Sequence, residues 1–197
     1  MMYTDIEFIC KGNNGRSPIG QAAARKVATY LGYGDKLQIS SSGSMADLSQ
    51  VKDLKDMMRS FVPKAIEAGT IPAERAEMYE RDHWSVVNEL VGIEEAWRNQ
   101  FIWDNYGIDY RGHVRRQTVV RPEAQLILPV DESVLNDVNK LYESVQGPKP
   151  RIVALPAFAA LDLKLDHYKT LDYNGYEALA NDVAKAASTA IRRVIRD

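Results

Sequence analysis

The stretch Cys10–Ser17 combines residue types that can do chemistry on a phosphate group. It reads C-K-G-N-N-G-R-S and contains the only cysteine of the 197-residue chain. Glycines at 12 and 15 allow a tight bend in which successive backbone N–H groups turn inward and form a nest for an anion. Arg16 adds a planar fork of donors that matches two phosphate oxygens. The stretch therefore predicts a site for a tetrahedral oxyanion.

This bend lies between a predicted strand and a predicted helix, and that position favours nucleophilic chemistry. DIEFIC, residues 5–10, is typical of a strand, and helical spacing of apolar residues predicts a helix over 17–31 with Pro18 in its first turn. The positive end of the helix favours the thiolate form of Cys10, which is the nucleophile. Attack on phosphorus would give a phosphocysteine, and Ser17 would donate a hydrogen bond to the thiolate when it leaves.

Two other interpretations of the bend are weaker. A lone cysteine at the end of a strand is most often a small buried hydrophobic residue. A glycine-rich bend between strand and helix can bind a nucleotide, but the chain has no G-x-x-x-x-G-K-[ST], and the G-x-G-x-x-G spacing fails. A cysteine followed by five residues, an arginine and a serine is more specific and favours phosphate chemistry.

Composition and charge exclude several classes of protein. With 45% hydrophobic and 26% charged residues, the chain is typical of a soluble globular protein, and its net charge of −2 gives no bulk reason to bind nucleic acid or an anionic membrane. A single cysteine and an N-terminal stretch without the features of a signal peptide predict a cytoplasmic protein. The histidines at 83, 113 and 167 lack metal-ligand spacing, so we expect no metal and no cofactor.

The pattern along the chain predicts one α/β domain over 1–197. We expect a three-layer sandwich with a four-stranded parallel sheet in the flavodoxin-like order 2-1-3-4 and helices on both faces. A helical insertion over about 45–105 interrupts it after the second strand. The further segments are a strand KLQISS, a short helix around 113–118, a strand AQLILPV, a helix DESVLNDVNKLYESV capped by Asp131 or Ser133, a strand RIVALPA and a final helix over about 175–196.

Within the insertion, Pro63 and Pro72 divide the first part into short helices. Apolar residues from Val86 to Phe101 then recur at helical spacing and predict a long amphipathic helix that ends near Asn105. We expect its aromatic residues to pack in a core; they are Trp97, Phe101 and Trp103.

The motifs together resemble the low-molecular-weight protein tyrosine phosphatases, whose loop reads C-x-G-N-x-C-R-S-P. SSGS at 41–44, YGIDYRGHVRRQ and LPVDESVLNDVNKL are similar to three further segments of that family, in the same order. The resemblance covers nearly the whole chain apart from the insertion. The loop positions that match are Cys10, Gly12, Asn13, Arg16, Ser17 and Pro18.

The resemblance implies a cysteine-dependent phosphatase that hydrolyses phosphotyrosine in proteins or a small aryl phosphate, with inorganic phosphate as product or inhibitor. Cys10 would be the nucleophile, and Asp166 of the segment Asp166-His167-Tyr168 would be the general acid, with Asp162 and Asp172 as alternatives. The phosphate-binding positions would be Lys11, Gly12, Asn13, Asn14, Gly15, Arg16 and Ser17. The residues that support the loop would be Asn13, Ser17, Ser41 and His113.

Three positions and the insertion depart from the family pattern. Gly15 replaces a second cysteine, and His167 replaces a proline beside the acid. Lys11 stands where the family has an apolar residue, and it either favours acidic substrates or is a solvated residue of the rim. The insertion leaves from the carboxyl end of the second strand, where ligands bind in such sheets. It would form a wall or lid over the site, a contact in a homo-oligomer, or additional scaffold.

Two other functions stay open at this point. Arsenate reductases share this fold and loop, and one that draws on an external thiol would need no further cysteine. A phosphate-binding regulatory module that has lost efficient turnover would also fit the altered Asp166-His167-Tyr168 segment. The cysteine argues against such a binding module, because simple anion binding does not require a thiolate.

Overall fold

A computed structural model describes residues 3–51, 54–59, 61–165 and 172–196. Its four strands form one parallel sheet in the order β2-β1-β3-β4, which confirms the predicted fold class and strand order. The strands are β1 Asp5–Cys10, β2 Gln38–Gly43, β3 Leu126–Pro129 and β4 Arg151–Ile152.

The helices cover both faces of this sheet. The connection from β1 to β2 runs through α1, Arg16–Tyr30, and the connection from β3 to β4 runs through α6, Glu132–Glu143. Because these crossovers step in opposite directions along the sheet and are right-handed, their helices lie on opposite faces. All six residues of β1 are buried, as expected for a central parallel strand. The remaining helices are α7, Leu155–Ala159, and α8, Tyr173–Arg196, which packs against α1.

The region after β2 is helical, as predicted, and has a small core of its own. Its helices are α2 Leu54–Arg59, α3 Val62–Glu67, α4 Arg75–Arg81 and α5 His83–Tyr106. We call these four helices the helical block. Pro63 lies in the first turn of α3, and Gly107 ends α5 in a left-handed conformation with φ of 65°. The buried apolar residues of this small core are Leu54, Val62, Ala65, Ile71, Tyr79, Val86 and Val87.

One of the three aromatic residues assigned to the core is exposed. Phe101 is buried and Trp97 packs partly against the main core, but Trp103 is 59% exposed. Trp103 is two residues beyond Phe101, which places it about 200° around the helix and so on the opposite face. For Trp103 the prediction of core packing is wrong.

The short helix predicted around 113–118 does not form. The segment is irregular except for an isolated bridge between Gly43 and Gln117, and its backbone makes tertiary hydrogen bonds instead of helical ones. The N–H of Gly43 donates to the carbonyl of Arg116 at 2.9 Å, and the N–H of Thr118 donates to the carbonyl of Gly43 at 2.9 Å. These bonds extend the edge of the sheet, and they compete with the i to i−4 bonds that a helix would need.

The predicted strand RIVALPA is also shorter than expected. Only Arg151 and Ile152 form β4, and α7 starts three residues later at Leu155. Pro156 lies in the first turn of α7, where its missing N–H costs no helical hydrogen bond. In the described ranges, no helix is both long enough and apolar enough to cross a bilayer.

Candidate active site

The loop from Cys10 to Arg16 lies at the carboxyl end of the sheet. Cys10 is the last residue of β1, and Arg16 is the first residue of α1. β1 pairs with β2 on one side and with β3 on the other. Since the crossovers from β1 and β3 leave in opposite directions, the loop lies at the topological switch point, where ligands bind in parallel sheets.

Asn13 organises this loop through hydrogen bonds on both ends of its side chain. Its backbone has a φ of 52°, a left-handed conformation that asparagine tolerates better than most residues. Its Nδ2 donates to Ser17 Oγ at 3.1 Å and to Ser41 Oγ at 3.0 Å. Its Oδ1 accepts from the N–H of Arg116 at 2.8 Å, and its carbonyl oxygen lies 3.1 Å from Nε2 of His113. The structure therefore brings together all four residues expected to support the loop.

The thiol of Cys10 is positioned directly below this network. Cys10 is 3% exposed, and its Sγ lies 3.0 Å from Ser17 Oγ. The same hydroxyl lies 3.0 Å from the carbonyl oxygen of Ser42. A hydroxyl has one proton to donate, so it donates to the sulfur when a thiolate is present and to the carbonyl otherwise. Ser17 can thus stabilise negative charge on the sulfur without any rearrangement of the loop.

Among the described residues, Arg16 is held through one of its terminal nitrogens. Its Nη1 donates to Asp131 Oδ2 at 2.5 Å and to the carbonyl oxygen of Leu165 at 2.6 Å. Asp131 also accepts from the N–H of Val134 at 2.9 Å and so caps α6, as one of the two predicted capping residues. In the described part of the chain these contacts leave Nε and Nη2 of Arg16 for a ligand. Those two nitrogens are the pair that binds two oxygens of one phosphate side by side.

The carboxyl group of Asp131 stays ionised beside Arg16. Burial alone would raise the pKa of Asp131, but the guanidinium of Arg16 and the N–H of Val134 outweigh it and hold the pKa below its ordinary value. Arg16 is buried and Asp131 is largely buried, so removal of either would leave a poorly solvated charge without its partner. Asp131 therefore fixes the orientation of Arg16.

Lys11 does not present a free charge at the rim. Its Nζ donates to Asp137 Oδ2 at 2.6 Å, and the same oxygen accepts from Ser44 Oγ at 2.7 Å. The side chain of Lys11 is 23% exposed. Because Asp137 neutralises Lys11, the structure does not support the interpretation in which Lys11 selects acidic substrates.

The helical block also supports the loop, through contacts with Asn14 that the sequence did not predict. Arg98 of α5 is buried and donates from Nη1 to the carbonyl oxygen of Asn14 at 2.8 Å. The side chain of Asn14 donates to Glu94 Oε2 at 2.8 Å and to the carbonyl oxygen of Val91 at 3.0 Å. Burial lowers the pKa of Arg98, and the acidic side chains of Glu95 and Glu94 oppose this shift. A Glu and an Arg four residues apart on an otherwise apolar helix face are the signal that could have indicated these contacts.

The loop and the helical block enclose a cavity of about 160 Å³. Cys10, Gly15 and Arg16 line its floor, and Glu94 and Tyr176 line its side. The helical block thus lies beside the loop, where the wall or lid alternative places the insertion. The apolar residues of the wall are Met45, Leu48, Leu54, Met58, Phe61, Val87, Leu90, Val91, Ile93 and Trp97.

Within the described residues, no candidate for the general acid lines the cavity. Asp166 lies outside the described residues, as do His167 and Tyr168. Asp162 is exposed, and Asp172 accepts a hydrogen bond from the N–H of Gly175 at 2.7 Å at the start of α8. The described ranges contain no group of three or more acidic, cysteine or histidine side chains able to hold a metal.

His113 gives the loop a predicted pH dependence of stability. Burial, together with the charges of Arg98 and Arg116, lowers the pKa of His113 below its ordinary value of 6.5, although the contact with the Asn13 carbonyl opposes this. The unfolded chain therefore takes up a proton at a higher pH than the folded chain does. The free energy of unfolding should fall as the pH drops below about 6.5, and the loss should stop below the folded-state pKa.

A substitution of His113 tests this directly. His113→Gln keeps an N–H donor for the Asn13 carbonyl and removes the titration, so the free energy of unfolding should vary less between about pH 5 and 7. Urea unfolding at several pH values measures this slope. His83→Gln, at the start of α5, controls for the loss of an imidazole elsewhere. An equal flattening of the slope in both variants would contradict the assignment to His113.

Several solved structures of phosphatases are similar to this chain over nearly its whole length. Tyrosine phosphatase AmsI of Erwinia amylovora is 17% identical and aligns over 98% of this chain and 93% of that chain, with a TM-score of 0.56. Wzb of Vibrio vulnificus, in complex with benzylphosphonate, is 13% identical over 97% and 99%, with a TM-score of 0.62. A low molecular weight protein tyrosine phosphatase from T. tengcongensis is 16% identical over 96% and 99%, with a TM-score of 0.61.

These similarities establish the fold of the chain. No protein-family model matches the sequence, and no curated protein matches it. At identities of 13 to 17%, the solved structures show that the chain has the fold of the low-molecular-weight tyrosine phosphatases. The resemblance drawn from the sequence motifs is thereby confirmed for the fold.

Proposed function

We propose that the chain is a cysteine-dependent phosphatase that hydrolyses aryl phosphate monoesters, such as phosphotyrosine, through a phosphocysteine intermediate. One observation carries the proposal: the Cys10 thiol lies at the N-terminus of α1, 3.0 Å from the Ser17 hydroxyl, on the floor of a cavity that Arg16 also lines. A binding module needs the arginine and the backbone amides, but it does not need a hydrogen-bond donor directed at a sulfur.

The first step is transfer of the phosphoryl group to Cys10. The thiolate attacks phosphorus, an S–P bond forms, and the bond from phosphorus to the aryl oxygen breaks. Nε and Nη2 of Arg16 and the backbone N–H groups of the loop bind the nonbridging oxygens and stabilise the charge of the transition state. The phenolate takes a proton from a carboxylic acid, for which we propose Asp166.

The second step is hydrolysis of the phosphocysteine. Asp166, now ionised, takes a proton from water while the oxygen of that water attacks phosphorus. The S–P bond breaks, inorganic phosphate forms, and Cys10 returns to the thiolate. Ser17 donates a hydrogen bond to the departing sulfur, which makes it a better leaving group. The step uses residues of the chain and water only.

The lining of the cavity supports an aromatic substrate. An apolar cavity of about 150 Å³ is large enough to bind benzene, and the wall above Cys10 is built mainly from Leu, Met, Val, Ile and Phe side chains. The similar protein from Vibrio vulnificus binds benzylphosphonate, in which an aromatic ring is attached to a phosphonate. An aryl ring on the phosphate would bury its apolar surface against the helical block.

Phosphate release from two substrates in the presence of EDTA tests the proposal. Asp166→Asn should slow hydrolysis of phenyl phosphate by about 10²- to 10⁴-fold. It should slow para-nitrophenyl phosphate less, because nitrophenol is the stronger acid and its anion leaves with less help from a proton. Asp162→Asn and Asp172→Asn serve as matched controls that remove one carboxylate each from the same region.

The outcomes separate the alternatives. A loss confined to Asp162→Asn or Asp172→Asn would move the role of the acid to that residue. Wild-type protein that binds inorganic phosphate but hydrolyses neither ester would contradict the phosphatase and favour a phosphate-binding module. Reduction of arsenate that depends on an added thiol, without ester hydrolysis, would favour a reductase.

A further inference from the structure

The phenol of Tyr176 is buried beside the loop without a hydrogen-bond partner. Tyr176, in the first turns of α8, is 2% exposed, and within the described ranges no protein group pairs with its hydroxyl. Burying a hydroxyl in this way is unfavourable, and most buried polar atoms in proteins are paired. Such an atom next to an active-site loop suggests that a bound ligand supplies the partner.

The position of the hydroxyl relative to the loop supports this. A Cβ placed on Gly15 would lie 3.1 Å from the Tyr176 oxygen, so the phenol touches the loop where position 15 has no side chain. Tyr176 lines the same cavity as Cys10 and Arg16. The hydroxyl therefore lies beside Gly15, next to the cavity that Cys10 and Arg16 also line.

The ring of Tyr176 is fixed in this orientation. Trp97 of α5 packs against it, with ring centroids 5.5 Å apart at an angle of 49°. The backbone N–H of Tyr176 donates to the carbonyl oxygen of Asp172 at 3.0 Å, which anchors the residue in the first turn of α8. These contacts hold the ring in place beside the loop, with its hydroxyl kept from bulk solvent.

The hydroxyl of Tyr176 is protonated near neutral pH and can therefore donate a hydrogen bond. Burial, the nearby Glu94 carboxylate and the charge on Cys10 hold the pKa of Tyr176 well above 10. Arg98 opposes this shift but does not outweigh it. A protonated phenol fits an oxygen that accepts hydrogen bonds, and phosphate offers such oxygens.

We propose that Tyr176 is a phosphate-binding residue whose phenol donates a hydrogen bond to a nonbridging oxygen of the phosphoryl group in the Cys10–Ser17 loop. The inference rests on the proposed function, because it assumes that the loop holds phosphate. It adds a ligand contact from the last helix of the chain, about 160 positions beyond the loop in sequence. The helical block contributes through Trp97, which holds the phenol against Gly15.

The test compares Tyr176→Phe with a matched control, using calorimetric titration with inorganic phosphate and thermal unfolding without phosphate. Tyr176→Phe should weaken phosphate binding about tenfold or more, as expected for a lost hydrogen bond to a charged group. Its melting temperature without phosphate should stay unchanged or rise, because the variant removes an unpaired buried hydroxyl.

Tyr142→Phe is the control and should behave in the opposite way. Tyr142 is equally buried, but its hydroxyl accepts from the N–H of Arg121 at 2.8 Å, away from the loop. This variant should lower the melting temperature and leave phosphate affinity unchanged. The crossed pattern separates a ligand contact from a general effect on packing.

Three results would overturn the inference. If wild type binds phosphate and Tyr176→Phe binds it equally well, the phenol is not a ligand contact, and the proposed function is unaffected. If Tyr176→Phe loses both affinity and melting temperature, the residue acts through the shape of the loop instead. If wild type itself fails to bind phosphate, the proposed function and this inference fail together.

Discussion

Cys10→Ser is expected to reduce hydrolysis of aryl phosphates by at least about 10⁴-fold, the order of loss seen when an enzyme loses its nucleophile. A serine hydroxyl is not ionised near neutral pH and is a poor nucleophile without an adjacent base. Ser17 cannot be that base, because its hydroxyl is positioned to donate to the atom at this position. His113 is not available as a base for position 10 either, since its Nε2 contacts the carbonyl oxygen of Asn13.

The same variant should keep its affinity for inorganic phosphate. The backbone amides and Arg16 that bind the anion do not depend on the sulfur, and Arg16 keeps its contacts with Asp131 and Leu165. Hydrolysis of para-nitrophenyl phosphate from pH 4 to 8 and phosphate titration of the same preparation measure both quantities. Residual turnover comparable to wild type would show that Cys10 is not the nucleophile or that another phosphatase is present in the sample.

The loop and the sheet could be predicted from the sequence because their signals are local. β1 has the predicted bounds, and α1 begins one residue before the predicted position. Glycine, proline and a buried apolar strand each restrict the backbone where they stand, so a short segment is sufficient to identify the bend. Asn13 was assigned to loop support from the resemblance alone, and the structure shows four hydrogen bonds that fit this role.

The contacts from the helical block could not be predicted in the same way. Glu94 and Arg98 reach Asn14 only because α5 packs beside the loop; their spacing marks a polar site on an apolar helix face, but it does not specify which segment that face meets. Tyr176 has no signal of its own in the sequence, because the helical pattern of α8 does not distinguish a core tyrosine from one that lines a cavity. The sequence predicts a helix over 113–118, because the tertiary hydrogen bonds to Gly43 that prevent it cannot be recognised from the residues of that segment.

Gly43 is the position where a minimal substitution should have the largest effect on the loop. It is the last residue of β2, and its N–H and carbonyl both bind the segment after α5, at Arg116 and Thr118. A Cβ on Gly43 would lie 2.5 Å from the backbone nitrogen of Asn13 and 2.6 Å from the carbonyl oxygen of Lys11. These are backbone atoms of the loop, so no side-chain rotation can relieve the contact.

Gly43→Ala should therefore displace the loop from its position over β2. We expect the free energy of unfolding to fall by about 1–3 kcal/mol, as for overpacked sites. Phosphate affinity should fall by about tenfold or more, because the loop amides must converge on one anion to bind it. Urea unfolding and phosphate titration measure the two effects.

Gly92→Ala is the matched control, since it adds the same methyl group in the middle of α5. A Cβ on Gly92 meets nothing within 4 Å, and alanine is the better helix former by roughly 0.5–1 kcal/mol. The two variants should therefore shift the free energy of unfolding in opposite directions, and only Gly43→Ala should weaken phosphate binding. A Gly43→Ala variant with wild-type affinity would mean that the loop does not rest on β2 when phosphate is bound, and that the support for the anion site comes from His113 and Arg98 instead.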